Sequence, residues 1–87
     1  MCVCYILYSK TLDRFYVGYT CDDLLSRVTR HNQYHKGYTG KTNDWVVVYH
    51  EEFGEKKDAM AREKQIKSWK SRKAIVEFIQ TYNGDTE

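Results

Sequence analysis

The chain has 87 residues, 14 Lys and Arg against 12 Asp and Glu, no proline and three cysteines. That length supports one modest core, and a composition 41% apolar and 15% aromatic excludes a disordered chain. The apolar opening MCVCYILYSK is too short to cross a bilayer and lacks the basic flank of an export signal, so a single cytoplasmic domain over residues 1–82 is expected, with a frayed tail at 83–87.

An odd number of cysteines without an export signal argues against a disulfide scaffold. Cys2, Cys4 and Cys21 are therefore expected as thiols, with Cys2 and Cys4 on one strand face as small buried hydrophobes. No second cysteine pair or Cys-His spacing completes a zinc site.

Residues 3–8 and 15–19 are β-prone runs joined by a polar loop, which predicts an antiparallel hairpin. Val3, Tyr5 and Leu7 share one face of the first strand, and Tyr16 and Gly18 share one face of the second. A glycine weakens a strand, so Gly18 marks either a bulge or a close approach to the backbone, such as a ligand beside Tyr16. Asp22 or Asp23 can cap a helix running to about residue 34 or 35, with Leu24, Val28, His31 and His35 in one stripe and Arg27 and Tyr34 on its flank.

A polar loop at 36–44 leads into residues 45–49, the clearest strand in the sequence and of continuous, buried type. A second helix should cover residues 56–70. With Ala59 at the origin, Glu63 falls near ~40° and Ile66 near ~340°, which puts a carboxylate on the apolar side. An i,i+4 ion pair with Lys67 would account for it structurally; without such a partner, an inward carboxylate calls for a function. Ser71 can cap a third helix over 72–81 with Ile75, Phe78 and Ile79 as its apolar stripe. The order β-β-α-β-α-α predicts an α+β fold, a three-stranded mainly antiparallel sheet flanked by helices. Trp45 and Trp69 are expected to pack, and His35 and His50 to be structural or surface residues.

The net charge of +2 says little, but its distribution says more. Residues 24–43 carry Arg27, Arg30, Lys36 and Lys41 with no acid, and residues 62–73 carry six basic side chains against Glu63 alone. Two such tracts suit a polyanion, although solvated helix faces have the same composition.

Val3-Cys4-Tyr5, then Tyr16-Val17-Gly18, then Leu25-Ser26-Arg27-Val28-Thr29-Arg30-His31-Asn32, and finally Arg62-Glu63-Lys64-Gln65-Ile66-Lys67-Ser68-Trp69-Lys70 form an ordered set. On these residues the chain resembles the GIY-YIG nuclease superfamily, in particular its small single-domain endonuclease-like proteins, from about residue 2 to residue 79. The resemblance implies a divalent metal, Mg²⁺ or Mn²⁺, held by Glu63, with Arg27 on the scissile phosphate and Tyr16 near the attacking water. It further places Tyr5 as the tyrosine of the first triplet, Gly18 at the small position and His31 at the auxiliary site. The chain departs from the pattern at Val3 and Cys4 in the first triplet, and at Tyr19, where repair-nuclease members carry lysine.

The chemistry agrees with those residue types. A hard cation that keeps its waters can sit on one carboxylate and phosphate oxygens, and arginine offers phosphate a planar donor fork. A phenol, ordinarily ionising near ~10, serves as a base only beside cations, whereas histidine, near ~6.5, does so unaided; either Tyr16 or His31 can take the water's proton.

The expected function is a metal-dependent endonuclease hydrolysing phosphodiester bonds in DNA, as in DNA repair. DNA structure, such as a flap, junction or damaged duplex, is expected to direct it, because so small a chain has little surface for reading bases. Tyr5, Tyr16, Arg27, His31 and Glu63 form the expected catalytic set, and Gly18, Tyr19, Arg30, Lys36, Lys41, Lys67 and Lys70 the expected nucleic-acid face. RNA stays open as a substrate, no membrane partner is expected, and the chain is expected as a monomer or weak homodimer, with a larger protein partner available for targeting. The alternative is a nucleic-acid-binding module without catalysis, in which Glu63 would only repel the phosphates.

Overall fold

Alternation along the first apolar run creates a strand with two faces to bury. The computed structural model, which describes residues 1–33 and 37–83, places strand β1 (Cys2–Ser9) between β2 (Arg14–Thr20) and β3 (Val46–Phe53) in an antiparallel sheet ordered β2-β1-β3. Helices α1 (Leu24–His31), α2 (Lys56–Ser68) and α3 (Arg72–Asn83) complete the expected β-β-α-β-α-α order of an α+β fold. Cys4 and Ile6 point to one side of β1, where they bury with Val17, Tyr49 and Ile66 under residues of α3. Tyr5 and Leu7 point to the other, where they bury with Trp45 beneath Leu24 and Val28 of α1. No helix among the described residues is long and apolar enough to cross a membrane.

Three sequence expectations are corrected. The buried central strand is β1, whereas β3 lies at an edge with Tyr49 as its one buried residue. Trp45 packs ahead of β3, and the register shifts between Ile6 and Leu7, so Val48 is the extra residue. Helix α1 stops at His31, where the Asn32 side chain pairs with the backbone of Trp45, receiving its N–H at 2.8 Å and donating to its C=O at 3.1 Å. Tyr34, His35 and Lys36 lie outside the described residues.

The third correction concerns the cysteines. Cys2 and Cys21 form a disulfide, while Cys4 is a buried thiol whose pKa burial pushes up to about 11. The hairpin register explains the pair: Val3 faces Thr20, so the next positions along the ladder are Cys2 and Cys21. At a sequence separation of 19, the closed loop stabilises the fold by about 3 kcal/mol through the unfolded chain.

Local capping follows the sequence. Asp23 accepts from the Ser26 N–H at 2.9 Å at the start of α1, and the Ser71 hydroxyl accepts from the Ala74 N–H at 3.1 Å at the start of α3. Arg72 ties α3 to the hairpin turn, donating to the Asp13 carbonyl at 2.7 Å and to its carboxylate at 2.6 Å. Asp13 needs that support because its φ of 54° is the left-handed region. At the other end of the hairpin loop, Asp44 accepts from the Ser9 hydroxyl at 2.6 Å, the Thr11 N–H at 2.9 Å and the Thr42 hydroxyl at 2.9 Å, fastening the segment before Trp45 to the end of β1.

Candidate active site

The site grows from the pairing of Tyr5 with Gly18 across β1 and β2. A Cβ on residue 18 would lie 2.8 Å from the Tyr5 hydroxyl and 3.0 Å from the Tyr16 ring, so the glycine makes room for two tyrosines. Gly18 is itself buried, and the close approach it permits is that of Tyr5 rather than of a ligand.

The Tyr5 hydroxyl lies 2.8 Å from Nε2 of His31, whose Nδ1 lies 2.8 Å from the Thr39 hydroxyl. Burial raises the Tyr5 phenol to about 12, against the lowering effect of a hydrogen bond from the Arg27 side chain. Tyr5 therefore keeps its proton at neutral pH. The retained phenol proton is available to Nε2 of His31. When the phenol donates to Nε2, the ring proton of His31 is on Nδ1 and goes to Thr39; the other tautomer reverses both bonds. Tyr5, His31 and Thr39 thus form one continuous hydrogen-bonded chain, with Arg27 near the Tyr5 end.

Tyr16 borders this chain. Its ring centroid is 4.9 Å from that of His31 and 6.5 Å from that of Trp45. Lys67 comes from α2, whose Ile66 packs on the opposite sheet face, and its Nζ lies 5.9 Å from the Tyr16 ring centroid. The edge position of β2 leaves room for that reach. Glu63, only 18% exposed, pairs with Lys67 at 2.9 Å, and its charge acts on both Tyr5 and Cys4. The ordinary i,i+4 ion pair anticipated from sequence is thus present, and it stands beside the tyrosines.

Tyr5, Tyr16, Arg27 and His31 come together from β1, β2 and α1, and Glu63 of α2 adjoins them through Lys67. Arg30, Lys41, Lys67 and Lys70 are exposed, and Tyr19 is half-buried, lining a hollow with Arg27. The second basic tract divides. Arg62 is held by Glu51 at 3.1 Å and lies 5.2 Å from the Phe78 ring centroid, and Arg72 is held by Asp13. Neither belongs to the site.

Two supporting residues escaped the sequence reading. Thr39 is buried, meets His31 through its hydroxyl, and accepts the Trp45 indole N–H through its carbonyl at 2.8 Å. Asn32 locks the end of α1 to Trp45. Both follow the periodic part of the helix, so spacing carries no signal of them; an asparagine just past the last basic turn is the one cue.

Compared with known families, the chain matches the GIY-YIG catalytic domain over residues 1–83. No curated protein and no solved structure matches it.

Proposed function

The chain belongs to the GIY-YIG family, a domain of nuclease type that acts on nucleic acid, and from that membership we propose that it is a divalent-metal-dependent endonuclease cleaving DNA at structural features such as flaps or junctions. The observation that carries this reading is the meeting of Arg27, Tyr5, His31 and Tyr16 beside the carboxylate of Glu63.

The residues fit a hard cation of the Mg²⁺ or Mn²⁺ kind. Among the described residues no three His, Cys, Asp or Glu side chains gather into a cage. Glu63 offers one anionic oxygen ligand, paired with Lys67, a donor set suited to a metal that retains water and shares phosphate oxygens. Such an ion supplies electrostatic relief to the charge that builds on the phosphate.

The chain's own residues supply the rest. Arg27, near enough to Tyr5 to act on its phenol, presents its N–H groups to the nonbridging oxygens. His31 has both nitrogens engaged by Tyr5 and Thr39, so it acts as a positioning residue that fixes the Tyr5 hydroxyl and backs the Tyr16 ring. Tyr16 is then the group that accepts the water's proton, with the Lys67 ammonium 5.9 Å from its ring centroid. Lys67 is also positioned to leave Glu63 for a phosphate when DNA arrives.

The ion pair between Glu63 and Lys67 is the observation that favours the second reading, a binding module without catalysis. Incubating the protein with labelled flap, junction, nicked duplex and single strand, with Mn²⁺ or with chelator, separates the two. The proposal expects cleavage with Mn²⁺ and none with chelator; binding without cleavage under both conditions would leave the second reading.

A further inference from the structure

Arg27 has a second environment. It lines a cavity of about 290 Å³ together with Tyr19, Thr20, Cys21, Asp22 and Lys56. Four of these follow one another in sequence: the end of β2 and the turn that the Cys2–Cys21 disulfide anchors to β1. The Asp22 N–H donates to the Thr20 hydroxyl at 3.0 Å, shaping that turn from within. Lys56 enters from the first residue of α2. Two cations, one carboxylate and one aromatic ring therefore converge on a polar hollow contiguous with the proposed phosphate clamp.

We infer that this cavity holds a single unpaired nucleotide next to the cleaved phosphate. The inference rests on the nuclease reading for the position of that phosphate at Arg27. Charge selects the class of ligand: Lys56 beside Arg27 suits a second phosphate along the same strand. A bare phosphate would be repelled by Asp22, whereas an exocyclic base amine gives that carboxylate a donor, and the Tyr19 ring offers the base a stacking face. Volume selects the state of the ligand. The hollow lies near the lower bound of small-molecule sites, about 300 Å³, which is room for one nucleotide and not for a base pair. Taking a paired base out of its stack costs free energy that an already unpaired one does not require. The cavity thus supplies a physical reason for cutting where a duplex opens, in a chain with little surface for sequence readout.

Binding in chelator tests this without any cleavage. The two probes are a nicked duplex bearing a short flap with 2-aminopurine as its first nucleotide, and the same nicked duplex without the flap. Wild-type protein should bind the flap about 10-fold more tightly and quench the 2-aminopurine by stacking. Tyr19→Ala should lose that preference and the quenching, while Tyr19→Phe keeps both. Lys56→Ala should weaken flap binding about fivefold and lower the salt slope by about one unit, with Lys56→Arg restoring both. The exposed Lys73→Ala on α3 should leave the preference unchanged. Because Lys56 is exposed, its variant tests the cavity even where truncating the half-buried Tyr19 unfolds the chain. Equal affinity for the two probes, or an unaltered preference in Lys56→Ala, overturns the inference. Metal-dependent cleavage with no flap preference would sink the cavity proposal alone, and flap preference without cleavage would sink the nuclease reading alone.

Discussion

The two faces of β1 are built from the same alternating strand and do opposite work. Cys4 and Ile6 enter an apolar layer with Val17, Tyr49 and Ile66, closed by α3 and by ring contacts such as Tyr49 with Phe78 at 4.8 Å between centroids. Tyr5 and Leu7 enter a smaller layer with Trp45, laced with hydrogen bonds from Asn32, His31 and Thr39. The first layer supplies burial; the second orients polar atoms inside a site. A strand buried on both faces lets a short chain keep stability and chemistry apart by the width of one backbone.

That division predicts separable damage. Ile66→Ala, on the apolar face, should open a cavity and cost about 3–4 kcal/mol in a denaturant melt. Below its melting range, the folded variant should cleave within about threefold of wild type, since the Ile66 side chain buries in the cluster of Cys4, Ile6, Val17 and Tyr49. A fold-intact variant with a collapsed rate would mean that the two faces are coupled.

Gly18→Ala should do the reverse. The added methyl meets Tyr5 and Tyr16 at 2.8 and 3.0 Å, costing about 1–3 kcal/mol in stability. By pushing Tyr5 from His31 it should lower single-turnover cleavage at least about 10-fold. Melts and single-turnover rates on the same preparation check both numbers, and an unchanged rate would detach the Tyr5–His31 contact from function.

The smallest effect is expected at the border of the site face, where Asp44 anchors the segment leading to Trp45. Hydrogen bonds from Ser9, Thr11 and Thr42 hold its carboxyl well below the usual carboxylate range. A folded pKa below the unfolded value contributes stability that is complete above about 4 and is lost as pH falls through the folded value. The Tm advantage of wild type over Asp44→Asn should therefore shrink steadily from pH ~5 to pH ~2. A constant difference across that range would show that the carboxylate's charge is not what fastens the segment.

Much of this was legible in the sequence, for stated physical reasons. Two β-prone runs around a polar loop, a capping Asp23 and the 3.6-residue placement of Glu63 beside Ile66 are local signals, and the structure bears out the elements they predict. The rank of the strands was not local: the run at 45–49 is the more continuous apolar stretch, yet β1 is central because both neighbours pair with it. The cysteine pairing was hidden in plain view, since carrying the hairpin register one step past Val3 and Thr20 sets Cys2 opposite Cys21. Thr39 and Asn32 follow no period, and only the folded position of Trp45 gives them partners.

The central claim is that the Glu63 carboxylate on α2 serves chemistry and not merely the ion pair with Lys67. Glu63→Gln keeps the volume and helix propensity of the residue and removes its charge. Single-turnover cleavage of one flap substrate with Mg²⁺, run beside thermal melts, should show a folded protein that still binds DNA while its rate falls at least about 100-fold, roughly 2.7 kcal/mol of transition-state stabilisation. A stability change of about 0.5 kcal/mol with wild-type cleavage is the result for a structural ion pair alone, and it would contradict the account.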